Sequence, residues 1–402
     1  MQGFVGSAAV KGLVFLLVGA GGGRLAAQDS ALFVDPASYD FSQNPALLER
    51  IRSGPHGYFR FINIPFGSYV CEHYDALMVG LPPVNLHGDA HVEQYAVTDL
   101  GRGLTDFDDS AKGPGLIDLL RFGVSLDLAA RAHGWDGRSE KIFETFLDGY
   151  RKGLSDPDSE AAEPAFVERL RDGFSDDRQG YLEGVGEMMD PLTSDTETEL
   201  LASIEPYTQS MLRADPSKGR EYFEVVKAGR LRMGIGSALD VKYLIRFAGP
   251  AEGPLDDVIV ELKEVRNLTG IPCIQAAKND PFRILVSQAR IAYRPFDLLG
   301  YAQMGRRTLW AHRWVDNYRE VDIRDTLKRP RDLSELAYDV GLQLGLGHPK
   351  MIAAPFDEQV RRTMLDFLDR RLTAIRTARR QLSESVVLAW KQFNRRLQSE
   401  QP

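Results

Sequence analysis

The chain reads as an α+β protein, and three features carry that reading. Across residues 84–121 the apolar runs are short and broken by polar side chains, as in strands that deliver residues from loops into a cleft. Across 229–265 a glycine-rich hairpin separates stretches rich in β-branched and aromatic residues, which suit a sheet. Across 120–220, and again across 332–397, apolar residues recur at helical spacing. The 402 residues, 43% hydrophobic and 26% charged, can bury an ample core without staples.

The first 28 residues have the layout of an export signal: Lys11, an apolar segment over 12–20, then GGGRLAAQ with a cut between Ala27 and Gln28. Arg24 and Leu25 are atypical so near a cut, and the apolar segment is short for a membrane span. An uncleaved anchor or an over-extended start codon is the alternative. Residues 1–27 are thus read as a signal peptide and 28–402 as one domain, periplasmic or secreted, with a cytoplasmic protein as the alternative if the start is misassigned. No integral membrane domain is expected beyond that signal or anchor. An exported chain allows one long-range disulfide between Cys71 and Cys273; otherwise they are two buried thiols, and both readings stand. Net charge −8 argues against a nucleic-acid partner, since phosphate contacts need a basic surface.

The 84–121 segment holds His87-Gly88-Asp89, a second histidine at His91, and the acidic run Asp106-Phe107-Asp108-Asp109. Carboxylates brought together in this way suit a divalent cation and the orientation of a hydroxyl for phosphoryl transfer. Alone, such a pattern is more often a turn and a solvated loop. The helix expected after Gly113-Pro114 carries Asp118 and Arg121. The helical stretch 120–220 includes Ile142, Phe143, Phe146, Leu147 and Tyr150 on one face.

Within 229–265, Gly234, Gly236 and Ser237 form a turn whose amides can approach phosphate oxygens without Cβ clashes. One strand later comes Lys263. Val258, Val260 and Leu262 alternate there with Ile259, Glu261 and Lys263, so the lysine faces away from the apolar set. From 332 onward the chain is helical again, with Pro349 and Pro355 marking a break after His348. The pairs Arg361-Arg362, Arg370-Arg371 and Arg379-Arg380 read as solvated helix faces.

In order along the chain stand GDAHVEQYA from Gly88, LTDFDDS from Leu104, GPGLIDLLR from Gly113, MGIGSAL from Met233, VIVELKEV from Val258, LWAHRWVDNY from Leu309 and LAYDVGLQLGLGH from Leu336. This series resembles the bacterial domain-of-unknown-function family 2252, placed in the protein-kinase-like superfamily. The resemblance implies a two-lobed kinase-like fold. It is circularly permuted, because here the glycine-rich loop and lysine follow the catalytic and metal loops. It implies Asp89 as the catalytic acid, Asp106 and Asp108 as Mg²⁺ ligands, with Gln94 where the family has asparagine, and Asp118 and Arg121 as braces of the catalytic loop. It further implies Lys263, Gly234, Gly236 and Ser237 on the phosphates of ATP, and an unknown hydroxyl-bearing acceptor.

Departures from the family pattern accompany it. Gln94 is one methylene longer than asparagine, and Leu239 replaces the third glycine. The helix near 284–290 offers Ser287 and Gln288 but no acid to pair with Lys263. An exported chain would also lack ready ATP. Three functions therefore stand: an ATP- and Mg²⁺-dependent phosphotransferase, an exported binding protein that keeps the cleft without catalysis, and a metal-dependent hydrolase using His87, His91 and the aspartates.

Overall fold

The computed structural model describes residues 30–42, 44–231, 241–251 and 253–399. The segment read as an export signal, Gly234, Gly236, Ser237 and Leu239 lie outside these residues. The first described helix, α1 (Pro45–Arg52), is started by Asn44, whose side chain accepts from the Leu47 amide, and by a proline whose missing N–H costs nothing in a first turn. Helices α2 (Pro55–Phe61), α3 (Asn63–His73) and α4 (Asp75–Met78) follow.

Four short strands come next: β1 (Pro83–Leu86), β2 (Tyr95–Thr98), β3 (Arg102–Leu104) and β4 (Ala111–Pro114). β1 pairs antiparallel with β4, and Leu86 stands opposite Ala111. The His-Gly-Asp loop therefore leaves one strand at the same end where the Asp-Phe-Asp-Asp loop enters the other. That pairing is why two loops eighteen or so residues apart meet at one point.

The expected helical region contains α5 (Leu116–Ala132), α6 (Ser139–Ser155), α7 (Ala165–Arg171), α8 (Arg178–Glu187) and α9 (Ser194–Ala214). The remainder runs β5 (Val225–Arg230), β6 (Lys242–Phe247), β7 (Val258–Glu264), α10 (Phe282–Ile291), β8 (Gly300–Met304), β9 (Arg307–Arg313), β10 (Tyr318–Glu320), α11 (Pro330–Gly347) and α12 (Phe356–Ser399). Five strands make one antiparallel sheet in the order β5-β6-β7-β9-β8, while β10 joins β2 and β3 in a smaller one.

Strand register sorts the large sheet into two chemically different faces. Tyr243, Leu262 and Ala311 lie opposite one another, as do Ile245 and Val260, and these pack with Leu200, Ile204 and Tyr207 of α9. The other face aligns Lys242 with Lys263 and Trp310, and Leu244 with Glu261 and His312. The alternation read from the sequence thus holds, with Lys263 on the face away from Val260 and Leu262.

A second, separate core lies in the helical body, where α5, α6, α11 and α12 bury Phe122, Phe146, Leu336 and Leu382. Glycine lets α6 and α11 approach to backbone contact. A Cβ on Gly149 would sit 2.2 Å from the Tyr338 carbonyl oxygen, and one on Gly341 would sit 2.1 Å from that of Phe146. Gly153 and Gly345 repeat the arrangement one turn further along. A disulfide between Cys71 and Cys273 ties α3 to the segment after β7, across 202 residues of chain. Of the arginine pairs on α12, Arg379 is buried rather than solvated, held by Asp127 and Glu140. No helix among the described residues is long and apolar enough to cross a membrane.

Candidate functional site

A cavity of about 460 Å³ opens between the polar face of the large sheet and the two acidic loops. Asp89, Gln94, Asp106 and Lys263 all line it. Its construction begins with the loop that follows β1. Gly88 has φ +81°, and a Cβ there would meet the Asp109 carbonyl oxygen at 1.9 Å, so only glycine fits the turn. Asp118, in the first turn of α5, accepts from the amides of His87 at 2.7 Å and Gly88 at 2.9 Å. Its second support is His348 at the end of α11, Nε2 at 3.1 Å, itself bonded through Nδ1 to the Tyr150 hydroxyl at 2.7 Å. Burial opposes charge on Asp118, but His348 and the amide bond outweigh it and hold the carboxyl below its ordinary range. The helix body thereby fixes the loop.

Asp89 follows directly. Its Oδ1 receives Nη2 of Arg121 at 2.7 Å and Nε at 3.0 Å. Arg121 is fully buried, with its guanidinium 3.7 Å from the centre of the Phe59 ring and Nη2 also donating to the Phe59 carbonyl at 3.0 Å. Burial pushes the Asp89 carboxyl up to about 7 against the pull of Arg121, and the nearby Asp109 adds to the rise. A carboxyl that exchanges its proton near neutrality suits general acid–base work. The bracing read for Asp118 and Arg121 is what the geometry contains.

The second loop shifts two of its carboxylates in opposite directions. Asp106 adopts φ +56°, a left-handed conformation uncommon outside glycine and costing on the order of 1–3 kcal/mol. Lys263 Nζ binds Asp106 Oδ1 at 2.7 Å and Asp108 Oδ2 at 3.3 Å. Burial opposes the Asp106 charge, yet Lys263 holds its carboxyl well below the usual range. Asp108 goes the other way, pushed up to about 7 by burial and then by the charge on Asp106. Phe107 between them turns into the core against His87, with ring centres 4.8 Å apart. Around this loop, Arg266 binds Asp109 at 2.6 Å, and Arg283 of α10 donates to the carbonyls of Asp108 and Ser110 at 2.6 and 2.7 Å.

These contacts correct one sequence expectation. Lys263 does have acidic partners, supplied by the loop rather than by α10, where Ser287 and Gln288 are buried and Gln288 accepts from the Phe296 amide. Asp108, expected as a second metal ligand, accepts from Trp310 Nε1 through Oδ1 at 2.7 Å and from Lys263 Nζ through Oδ2 at 3.3 Å. The histidines also fail to converge. His87 Nε2 faces the Thr105 carbonyl at 2.8 Å, and His91 Nε2 lies 3.9 Å from Asp89. Among the described residues no three His, Cys, Asp or Glu side chains are placed to share one metal ion.

Sequence reasoning missed part of the sheet wall. Lys242 stands opposite Lys263 on the cavity face, and Glu261 accepts from His312 Nε2 at 3.0 Å. His312 is sandwiched between Phe296 and Trp310, with ring centres 4.8 and 4.7 Å away. The period-two pattern could have placed Lys242 and His312 on polar faces, but only the register between strands brings them beside Lys263.

Comparison with curated proteins finds no match, and comparison with solved structures finds none either. Residues 45–189 match the family model described as "Uncharacterized protein conserved in bacteria (DUF2252)", and this match, which spans both acidic loops and the helix that braces them, supports that family for the chain.

Proposed function

We propose that the protein is an ATP- and Mg²⁺-dependent phosphotransferase built on a kinase-like, circularly permuted two-lobed fold. The observation that carries this reading is the convergence of Asp89, Gln94, Asp106 and Lys263 on one cavity, although Lys263 lies 157 residues beyond Asp106. The antiparallel sheet with its own core beside a helical body supports the two-lobed description. In the transfer, the acceptor O–H bond breaks and its oxygen bonds the γ-phosphorus as the bond to the leaving ADP breaks. Asp89 orients the hydroxyl and takes the proton, and Arg121 fixes the direction of its carboxylate. Lys263 and Lys242, side by side, face the donor phosphates.

The donor set suits Mg²⁺ brought in with phosphate. Asp106 and Gln94 both line the cavity and carry oxygen donors, and Mg²⁺ typically takes only one or two carboxylates besides phosphate and water. Bound there, the ion would neutralise phosphate charge. ADP release in the presence of hydroxyl compounds tests the proposal. Asp89→Asn should lower turnover by roughly 10²–10⁴-fold while nucleotide still binds, and Lys263→Ala should lose both. Turnover that survives Lys263→Ala would instead favour a hydrolase.

A second reading, an exported binding protein without catalysis, is favoured by the Cys71–Cys273 bond. Such bonds persist mainly in oxidising compartments, where ATP is scarce. Tight nucleotide binding with no turnover toward any acceptor would select it.

A further inference from the structure

The cavity has a second wall, made by α1, α2 and β10 rather than by the large sheet. Arg50, Arg60 and Arg319 line it, with Tyr318 and Glu320. Arg60 is the innermost of the three arginines, only partly exposed, and its Nη1 binds Glu93 Oε2 at 2.8 Å. Glu93 is also 3.4 Å from His56, and although burial opposes its charge, His56 and Arg60 hold its carboxyl down to about 2. One ionised glutamate thus balances one arginine. Glu320, whose Oε1 accepts from the Tyr318 hydroxyl at 3.3 Å, is the other carboxylate of this wall. Arg50 and Arg319 have no carboxylate within ion-pair distance among the described residues. Three guanidiniums against two glutamates leave the wall net positive, in a chain of net charge −8. Arg60 also lies within electrostatic reach of Asp89 and Glu320.

We propose that this wall is the acceptor subsite, and that the acceptor is a hydroxyl compound carrying its own carboxylate or phosphate group. The inference rests on the phosphotransferase reading above. The two walls divide the work: the lysines of the sheet face the donor, and the arginines face the acceptor. Because Arg60 neighbours Asp89, the anionic group lies near the hydroxyl to be phosphorylated, which fits a short hydroxy acid or a phosphorylated polyol. The guanidinium fork matches either anion with two parallel hydrogen bonds. An amino alcohol, by contrast, would bring its cation against three arginines.

The test titrates the full chain, in Mg²⁺ and a non-hydrolysable ATP analogue, with glycerate, glycerol 3-phosphate, glycerol and ethanolamine in turn. One or both anionic compounds should bind roughly tenfold or more tightly than the other two, since charge-assisted hydrogen bonds are at stake. The glycerate and glycerol 3-phosphate arms tell carboxylate from phosphate. Arg60→Ala should weaken that binding by a similar factor and leave the affinity for the nucleotide analogue in place. The double variant Arg50→Ala/Arg319→Ala, at exposed positions that do not threaten folding, should weaken it as well. Equal binding of glycerol or ethanolamine overturns the proposal. So does anion binding that neither set of variants changes, or no binding by any of the four while the nucleotide analogue binds. Failure of the nucleotide analogue itself would mark failure of the underlying reading.

Discussion

A carboxylate buried beside an arginine can act as a permanent ion pair or as a group poised to exchange its proton. Asp89 is of the second kind, because burial outweighs Arg121 and lifts its carboxyl to about 7. The sign follows from the folded value standing above the ordinary 3.8. Asp89 contributes most to stability below the unfolded value, and the contribution is lost as pH rises through about 7. Arg121→Met should therefore destabilise by about 3–5 kcal/mol above neutrality, where an unpaired buried charge remains, and by less near pH 5. Urea unfolding of parent and variant at both pH values checks this; an equal loss at the two would contradict it. If Asp89 is the base, turnover should also rise through neutrality as it deprotonates.

Among the elements, the α6–α11 contact and the disulfide decide whether the site forms. Gly345→Ala would place a methyl 2.3 Å from the Tyr150 carbonyl, a clash with backbone that only separation of the helices can relieve. The expected cost is about 3 kcal/mol, the upper end for overpacking. Because α11 also carries His348, the Asp118 support should loosen with it. Asp118→Asn in the same background should then cost less than in the parent, which a double-mutant cycle measures. Reduction of Cys71–Cys273 should cost about 2–5 kcal/mol in urea unfolding, since the bond closes a 202-residue separation. Both elements show where sequence reading stops. The loops holding Asp89 and Asp106 were legible because their residue types stand within a few positions of one another. The spaced glycines 149, 153, 341 and 345 were visible too, yet nothing local says that these two helices touch. The Lys263 partnership with Asp106 and Asp108 was misjudged for the same reason, the partner being 157 residues away.

At the scale of the molecule, an acidic chain concentrates positive charge around the cavity between the polar face of the large sheet and the two acidic loops. The cavity walls carry Arg50, Arg60, Lys242, Lys263, Arg266, Arg313 and Arg319 against Asp89, Asp106, Glu261 and Glu320. A polyanionic ligand is what that imbalance suits. The mixed α+β class could be read from the apolar patterning along the chain. The arginine wall could not, because α1, α2 and β10 come together only on folding. The most direct test of the central claim is thermal unfolding of the full chain with and without Mg²⁺-ATP, beside Asp106→Ala and Lys263→Ala. Nucleotide at a hundredfold over Kd adds about 2.7 kcal/mol, a few degrees at this chain length. The account predicts that shift in the parent and its loss in both variants. No shift at millimolar nucleotide, or an equal shift in all three proteins, would contradict it.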